Sequence, residues 1–211
     1  MNDEPLLCVV RGVSVFQKPD PDDDLRVWYT ADLDVDVDGA KKAYRLDNSR
    51  ALGALDDIRA SAGWPRGSWP NVLVPDPQDP SRPLVDEDGF CVSMTSYRRF
   101  DFDRTDRRRY VDAEIVPYAV PPGIVRQKCR GVLLGCKARI THLPTNRSID
   151  CVTADMSGNS IGEASLAAAV FFNPKLSARA GDDQLNYLYE FWPGTPAVIG
   201  EEQYKLIPSS A

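Results

Sequence analysis

The chain has 211 residues, of which 43 % are hydrophobic, and a formal net charge of -6 at pH 7. A single domain with a substantial core is expected over residues 1–211, rather than a disordered chain. The negative charge argues against nucleic acid or an anionic membrane as the main partner and is compatible with a cationic ligand.

The termini and the reactive side chains limit the possibilities further. The first 16 residues have no basic region ahead of an apolar stretch, so no signal peptide is predicted. His142 is the single histidine and no cysteine pair has CxxC spacing, so no metal and no cofactor are expected. Cys129 and Cys136 flank RGVLLG, where a disulfide-closed hairpin and two buried thiols both remain open.

Alternating apolar residues and turn residues predict mostly short strands along the chain. A Pro/Asp turn is predicted at residues 18–24, and a loop at residues 64–83. Helices are predicted at residues 47–63 and 162–172. Strands are predicted at residues 9–16, 26–38, 90–96, 112–120, 131–140, 148–155 and 186–194. This pattern indicates a mainly β protein, a compact β-barrel with long loops and one or two short helices.

The stretch DLDVDVDG is the most unusual feature of the sequence. In a strand of period two, its four aspartates point one way and the intervening apolar residues point into a core. Such a face is either a solvated edge that prevents aggregation or a surface that holds a cationic ligand. The aspartates are Asp32, Asp34, Asp36 and Asp38.

The same stretch also matches the first half of a calcium-binding EF-hand loop. The match fails further along, because the ninth and twelfth positions hold Lys42 and Arg45 instead of ligands. A partial calcium site completed by ligands from elsewhere in the chain remains an alternative.

A second acidic feature lies in VTADMSGNSIGEASLAAA. Asp155 ends a predicted strand, and Glu163 opens a predicted helix eight positions later. Inverting glycosidases hold two carboxylates roughly 6.5–9.5 Å apart, one as general acid and one as general base. The alternative is that Asp155 is a turn former and Glu163 an acid in the first turn of a helix.

Taken together, six segments resemble the chitosanases of glycoside hydrolase family 75, and the resemblance covers about residues 15–194. The segments are VFQKPD, DLDVDVDGAKKAYRLDNS, CVSMTSY, RRYVDAEIVPYAVPP, VTADMSGNSIGEASLAAA and YEFWPGTP. Two features depart from the family: DMSG stands where Asp-Val-Gly-Pro is usual, and KCRGVLLGC is unusual. The segment after Asp155 also resembles double-psi β-barrel proteins, which implies a six-stranded barrel with an open groove.

The resemblance implies an endo-acting, inverting hydrolase of β-1,4-linked glucosamine polymers. Asp155 would be the general base and Glu163 the general acid. It also implies a secreted protein, a cationic polysaccharide as substrate and a monomer. The expected substrate-binding residues are Asp34, Asp36, Asp38, Tyr110 and Asp112.

Three other functions are compatible with parts of the sequence. The same barrel could bind polysaccharide without cutting it, as expansin-like proteins do. It could also be a cell-wall lytic enzyme, although an acidic face suits the anionic peptidoglycan polymer poorly. The arginine-rich segment at residues 97–110 is typical of nucleic-acid binding, but its interleaved aspartates favour a salt-bridged loop.

Overall fold

The computed structural model describes residues 5–18, 25–131 and 133–208. Its secondary structure is mainly β, with 36 % strand and 10 % helix. Two α-helices occur in these residues, α1 (Gly123–Lys128) and α2 (Leu166–Phe172). The strands of the described residues are β1 (Leu6–Val10), β2 (Val13–Gln17), β3 (Val27–Asp36), β4 (Tyr118–Val120), β5 (Cys136–His142), β6 (Arg147–Thr153), β7 (Glu163–Ser165), β8 (Asp182–Pro196), β9 (Val198–Ile199) and β10 (Glu202–Gln203).

Six of the strands close into a barrel. Their order is β3–β7–β4–β6–β5–β8, and β8 pairs with β3 to complete the ring. The pairs β3–β7 and β4–β6 are parallel, and the other four are antiparallel. Parallel neighbours require long crossover connections, which accounts for the long loops between the strands. The closed six-stranded barrel confirms the predicted fold class.

Strand β3 shows why this sequence supports a barrel. Val27, Tyr29, Ala31 and Leu33 occupy alternate positions and are fully buried, as the period of two requires. The aspartates occupy the intervening positions, on the opposite face of the strand. The strand predicted at residues 26–38 is therefore confirmed, with its end two residues earlier.

The N-terminal prediction was wrong in detail. Residues 9–16 do not form one strand, because Arg11 and Gly12 both have positive φ angles and turn the chain. The result is an antiparallel hairpin of β1 and β2, and β2 then pairs with β3. Apart from Lys18, the predicted Pro/Asp turn lies outside the described residues.

The helix predicted at residues 47–63 does not form. Polar side chains capture the backbone amides that a helix would use: Asn48 Oδ1 accepts from the amide of Ile58, and Asp57 Oδ1 accepts from the amide of Arg59. Gly53 also has a φ of 91°. These local hydrogen bonds compete with the helix and favour a series of turns.

Several other elements are shorter than the sequence predicted. Residues 90–96 make only isolated bridges, and the strand predicted at 112–120 is reduced to β4. The Asp112 carboxylate accepts a hydrogen bond from the amide of Glu114 and holds the preceding residues in a turn. The predicted strands at 131–140, 148–155 and 186–194 appear as β5, β6 and β8 with shifted bounds.

The predicted helix at residues 162–172 is divided into two elements. Its first residues form β7, and α2 begins only after Ser165, whose hydroxyl accepts a hydrogen bond from the amide of Ala168. Ser165 is therefore the N-cap. Glu163 lies in a strand, three residues before the helix begins.

Two apolar clusters hold the domain together. One lies among the barrel strands and the β1–β2 hairpin, and the other joins the barrel to the loops between residues 37 and 113. Cys129 is a free thiol, so its disulfide with Cys136 does not form. No helix in the described part of the chain is long and apolar enough to cross a bilayer.

Gly162 fixes the position of β7, which makes it a test of the fold. Its φ is 95°, and an added Cβ would lie 2.9 Å from the Asp32 carbonyl oxygen. We expect Gly162→Ala to lower the free energy of unfolding by roughly 2–4 kcal/mol. Urea denaturation measures this loss.

Gly194→Ala is the matched control. Gly194 has a φ of 81° but no atom within 4 Å of an added Cβ. Its substitution should therefore cost only the backbone strain, about 1 kcal/mol. Equal losses in the two variants would contradict the close packing of Gly162 against β3.

Candidate active site

An acidic cleft of about 940 Å³ opens beside the C-terminal half of β3. Its walls come from β3, from the loop after β6, from β7, from the turns at residues 56–61 and 178–181, and from the start of β8. The carboxylates that line it belong to Asp34, Asp36, Asp38, Asp56, Asp155, Glu163 and Asp183. Arg179 is the one basic residue among the lining residues.

Asp155 follows the end of β6 and is one of the two most buried of these acids by exposed fraction. It is 8 % exposed, and its Oδ1 accepts hydrogen bonds from the Ser96 hydroxyl and the Ser96 amide. The Met156 amide donates to the same oxygen at 2.7 Å. Burial raises the pKa of Asp155 to about 6, although these hydrogen bonds favour the ionised form and oppose the rise.

Asp36 and Asp38 lie next to Asp155. Oxygen atoms of the three carboxylates lie within 4.8 Å of one another. Asp38 accepts hydrogen bonds from the hydroxyls of Tyr44 and Ser93. Burial raises the pKa values of Asp36 and Asp38 well above the ordinary range, and the neighbouring carboxylates add to the rise.

Glu163 faces the same cleft from β7. It is the register partner of Asp34 on the parallel strand β3, so the two side chains lie on one face of the sheet. Burial raises the pKa of Glu163 to about 7, and the charges of Asp34 and Asp155 act in the same direction. A hydrogen bond from Ser160 opposes the rise.

The position of Glu163 corrects the expectation that it lies in the first turn of a helix. A helix dipole would have favoured its ionised form. In the strand the dominant influence is burial among other acids, which favours the protonated form. The environment in the strand therefore does not oppose a proton-donating role, as a helix dipole would have done.

Hydrogen bonds hold the DMSG loop between Asp155 and Glu163. The Ser157 carbonyl accepts from the amide of Gly123, and the Ser157 hydroxyl donates to the carbonyl of Ser160. The Ser157 amide also donates to the Pro121 carbonyl. The loop that departs from the family pattern is thus tied to α1 and to itself.

The three clustered aspartates also have the chemistry of a cation site. Hard divalent ions such as Ca²⁺ bind carboxylate oxygens, and Asp36, Asp38 and Asp155 offer one oxygen each within a small space. Acidic clusters are common without a metal, however, and each of these carboxylates already accepts hydrogen bonds from the protein.

The predicted binding residues are divided between two places. Asp34, Asp36 and Asp38 line the acidic cleft, whereas Tyr110 and Asp112 line a separate depression of about 420 Å³. Tyr110 is buried, and its hydroxyl donates to the Arg104 carbonyl. Asp32, the first aspartate of the acidic stretch, is not among the residues that line the cleft.

Sequence reasoning missed three residues that line the cleft and a fourth, Ser96, that holds one of its acids. Asp56 was assigned to a helix that does not form, and Arg179 and Asp183 lie in a segment with no motif. Ser96, which holds Asp155, ends the CVSMTS segment that carried part of the family resemblance. Ser96 was therefore the only one of the four with a signal in the sequence.

The arginine-rich segment forms a salt-bridged loop, as predicted. Arg99 pairs with Glu202 at 2.6 Å, Arg107 pairs with Asp86 at 2.8 Å, and Arg108 pairs with Asp106. These charges are engaged within the protein.

Comparison with known proteins does not identify a family. A scan against protein-family models found no match, and a search of curated proteins found no similar chain. The functional argument therefore rests on the geometry and electrostatics of the cleft and on the motifs of the sequence.

The raised pKa of Asp36 predicts how stability depends on pH. The Asp36 carboxyl binds its proton more tightly in the folded protein than in the unfolded chain. It therefore stabilises the folded protein at low pH. This stabilisation is lost as the pH rises through the folded pKa. We expect Asp36→Asn to raise the free energy of unfolding at pH 8 by about 1–3 kcal/mol, with little difference at pH 4. Urea denaturation at both pH values measures the effect.

Asp76→Asn is a control in which the expected change in stability has the opposite sign. Asp76 lies outside the cleft, and a hydrogen bond from the amide of Gln78, followed by one from Arg82, lowers its pKa. Its replacement should lower stability at pH 8 relative to the parent. A loss of stability in both variants at pH 8 would contradict the electrostatic origin of the Asp36 effect.

Proposed function

We propose that this protein is a glycoside hydrolase that cleaves β-1,4-linked glucosamine polymers with inversion, using Asp155 as general base and Glu163 as general acid. One observation carries the proposal: the two acids come from different elements yet line a single cleft, and both have raised pKa values. Perturbed carboxylates in a cleft are typical of sites that transfer protons.

The environment of Glu163 suits a proton donor. A general acid must be protonated near the working pH, and burial together with acidic neighbours raises its pKa to about 7. The glycosidic oxygen of a bound sugar would take this proton as the bond to the anomeric carbon breaks.

The environment of Asp155 suits a base. Three hydrogen bonds to Oδ1, two from Ser96 and one from Met156, favour the carboxylate and fix its orientation. Its pKa of about 6 lies below that of Glu163, so the pair has one ionised and one protonated member between these values. Asp155 would remove a proton from the water that attacks the anomeric carbon.

The walls of the cleft favour a cationic substrate. Seven carboxylates line the space, and ammonium groups on successive glucosamine units would relieve their mutual repulsion. Asp34, Asp36 and Asp38 are the nearest candidates to bind these groups, because they follow one another along the end of β3 and the residues just after it. An anionic cell-wall polymer would meet repulsion in the same place.

Substitution of the two acids tests the catalytic assignment. We expect Asp155→Asn and Glu163→Gln each to lower kcat on soluble chitosan by about 100-fold to 10,000-fold, since each removes one proton-transfer step. Release of reducing ends measures the rate, and binding of a glucosamine hexamer should persist in both variants.

Asp112→Asn serves as the control, because Asp112 lies outside the acidic cleft. Its rate should stay within about twofold of the parent, as is usual for surface changes remote from the site. A parent protein that binds the hexamer without releasing reducing ends would favour the non-catalytic polysaccharide-binding barrel. Release from cell-wall sacculi but not from chitosan would favour the lytic enzyme.

Assays with and without EDTA test whether the aspartate cluster needs a metal.

The dependence of kcat/KM on pH follows from the two pKa values. Activity should rise as Asp155 loses its proton near pH 6 and fall as Glu163 loses its proton above about pH 7. A narrow bell-shaped profile is therefore expected. In Glu163→Gln the alkaline limb should disappear from the residual activity, and an unchanged limb would contradict the assignment of the acid.

The configuration of the product distinguishes inversion from retention. Proton NMR of freshly formed products should show the α-anomer first, because water attacks the face opposite the leaving group. Initial formation of the β-anomer would indicate a covalent intermediate and would contradict the roles given to the two acids.

A further inference from the structure

Arg179 lies in the wall of the acidic cleft and differs from every other lining residue by its positive charge. It sits at the tip of a tight turn in which Ser177 and Ala180 exchange backbone hydrogen bonds of 3.1 and 2.9 Å. Gly181 presses this turn against β3, since an added Cβ would lie 2.6 Å from the Leu33 carbonyl oxygen. The turn that carries Arg179 is thus held beside the strand that carries the aspartates.

The charge of Arg179 is not neutralised by an ion pair with any described carboxylate. Its single hydrogen bond in the described structure runs from Nε to the Leu55 carbonyl, at 3.4 Å. Its Nη2 atom is buried and has no hydrogen-bond partner there. Hydrogen bonds from Asn48 and from the amide of Arg59 lower the pKa of Asp57, and the charge of Arg179 adds to this effect.

The Nη2 group has almost no accessible surface, so a ligand in the cleft would accept hydrogen bonds from the other N–H groups of the guanidinium. The guanidinium repels an ammonium group, and its N–H groups donate to a neutral oxygen acceptor. An N-acetylglucosamine unit has an amide carbonyl where glucosamine has the ammonium. The carboxylates that line the rest of the cleft favour the ammonium group of glucosamine instead.

From these contacts we propose that Arg179 forms a subsite that selects an N-acetylated sugar unit within an otherwise glucosamine-selective cleft. The inference rests on the proposed function and adds to it the pattern of acetylation that the substrate should have. Arg179 would act as a specificity-determining residue that binds substrate and takes no part in the proton transfers.

The test compares cleavage of partially N-acetylated chitosan with cleavage of fully deacetylated chitosan. The parent should yield products in which N-acetylglucosamine is enriched at one fixed position from the new chain end, as read by mass spectrometry. In Arg179→Met this enrichment should vanish, and the ratio of kcat/KM for the acetylated over the deacetylated polymer should fall by about threefold to tenfold. Arg179→Lys retains the charge and should retain most of the preference.

Arg82→Met is the matched control, because it makes the same change of net charge at an exposed position outside the cleft. Its products should equal those of the parent. An active Arg179→Met variant with unchanged products and an unchanged ratio would overturn the inference and leave the proposed hydrolase intact.

Calorimetric titration with hexamers of glucosamine, with and without one N-acetyl group, separates the remaining outcomes. A parent that cuts neither polymer but binds the acetylated hexamer more tightly, in a manner lost in Arg179→Met, would refute the hydrolase and support the subsite. A parent that neither cuts nor binds either sugar would overturn both proposals.

Discussion

Seven carboxylates share one cleft beside β3, and their repulsion in a partly desolvated space is the constraint on which the other properties of the site depend. Removing an ionised carboxylate from water is unfavourable, and a second negative charge nearby makes it more so. Burial is the main reason that Asp36, Asp38, Asp155 and Glu163 all have raised pKa values, and the charges of neighbouring carboxylates add to the rise at Asp36, Asp38 and Glu163.

The fold counters this repulsion with donors placed at individual oxygens. Ser96 and the Met156 amide hold Asp155, whereas Tyr44 and Ser93 hold Asp38. Ser93 and Ser96 lie in a loop distant in the sequence from the acids they contact, so these two bonds form only when that loop packs on the barrel. A site that gathers like charges lowers stability, and natural proteins retain such features mainly where function requires them.

The barrel topology brings the two proposed catalytic acids together. Asp155 follows β6, and Glu163 lies in β7, which runs parallel to β3. The parallel pairing sets Glu163 beside Asp34, and the bonded DMSG loop returns the chain from one acid to the other. The difference between the two environments comes from this arrangement: Asp155 has three donors on one oxygen, and Glu163 has mainly burial and acidic neighbours.

The sequence by itself determined the barrel class, the alternation along β3 and the choice of Asp155 and Glu163 as candidates. The alternation follows from local chemistry, because a strand of period two separates apolar from acidic side chains wherever it lies. The two acids were chosen from their spacing together with the resemblance to chitosanases. Only the tertiary structure decided that Glu163 belongs to a strand, that Tyr110 and Asp112 lie elsewhere, and that Arg179 lines the same cleft as the acids. Each of those outcomes depends on pairing or loop packing between residues far apart in the chain, and no local pattern specifies such contacts.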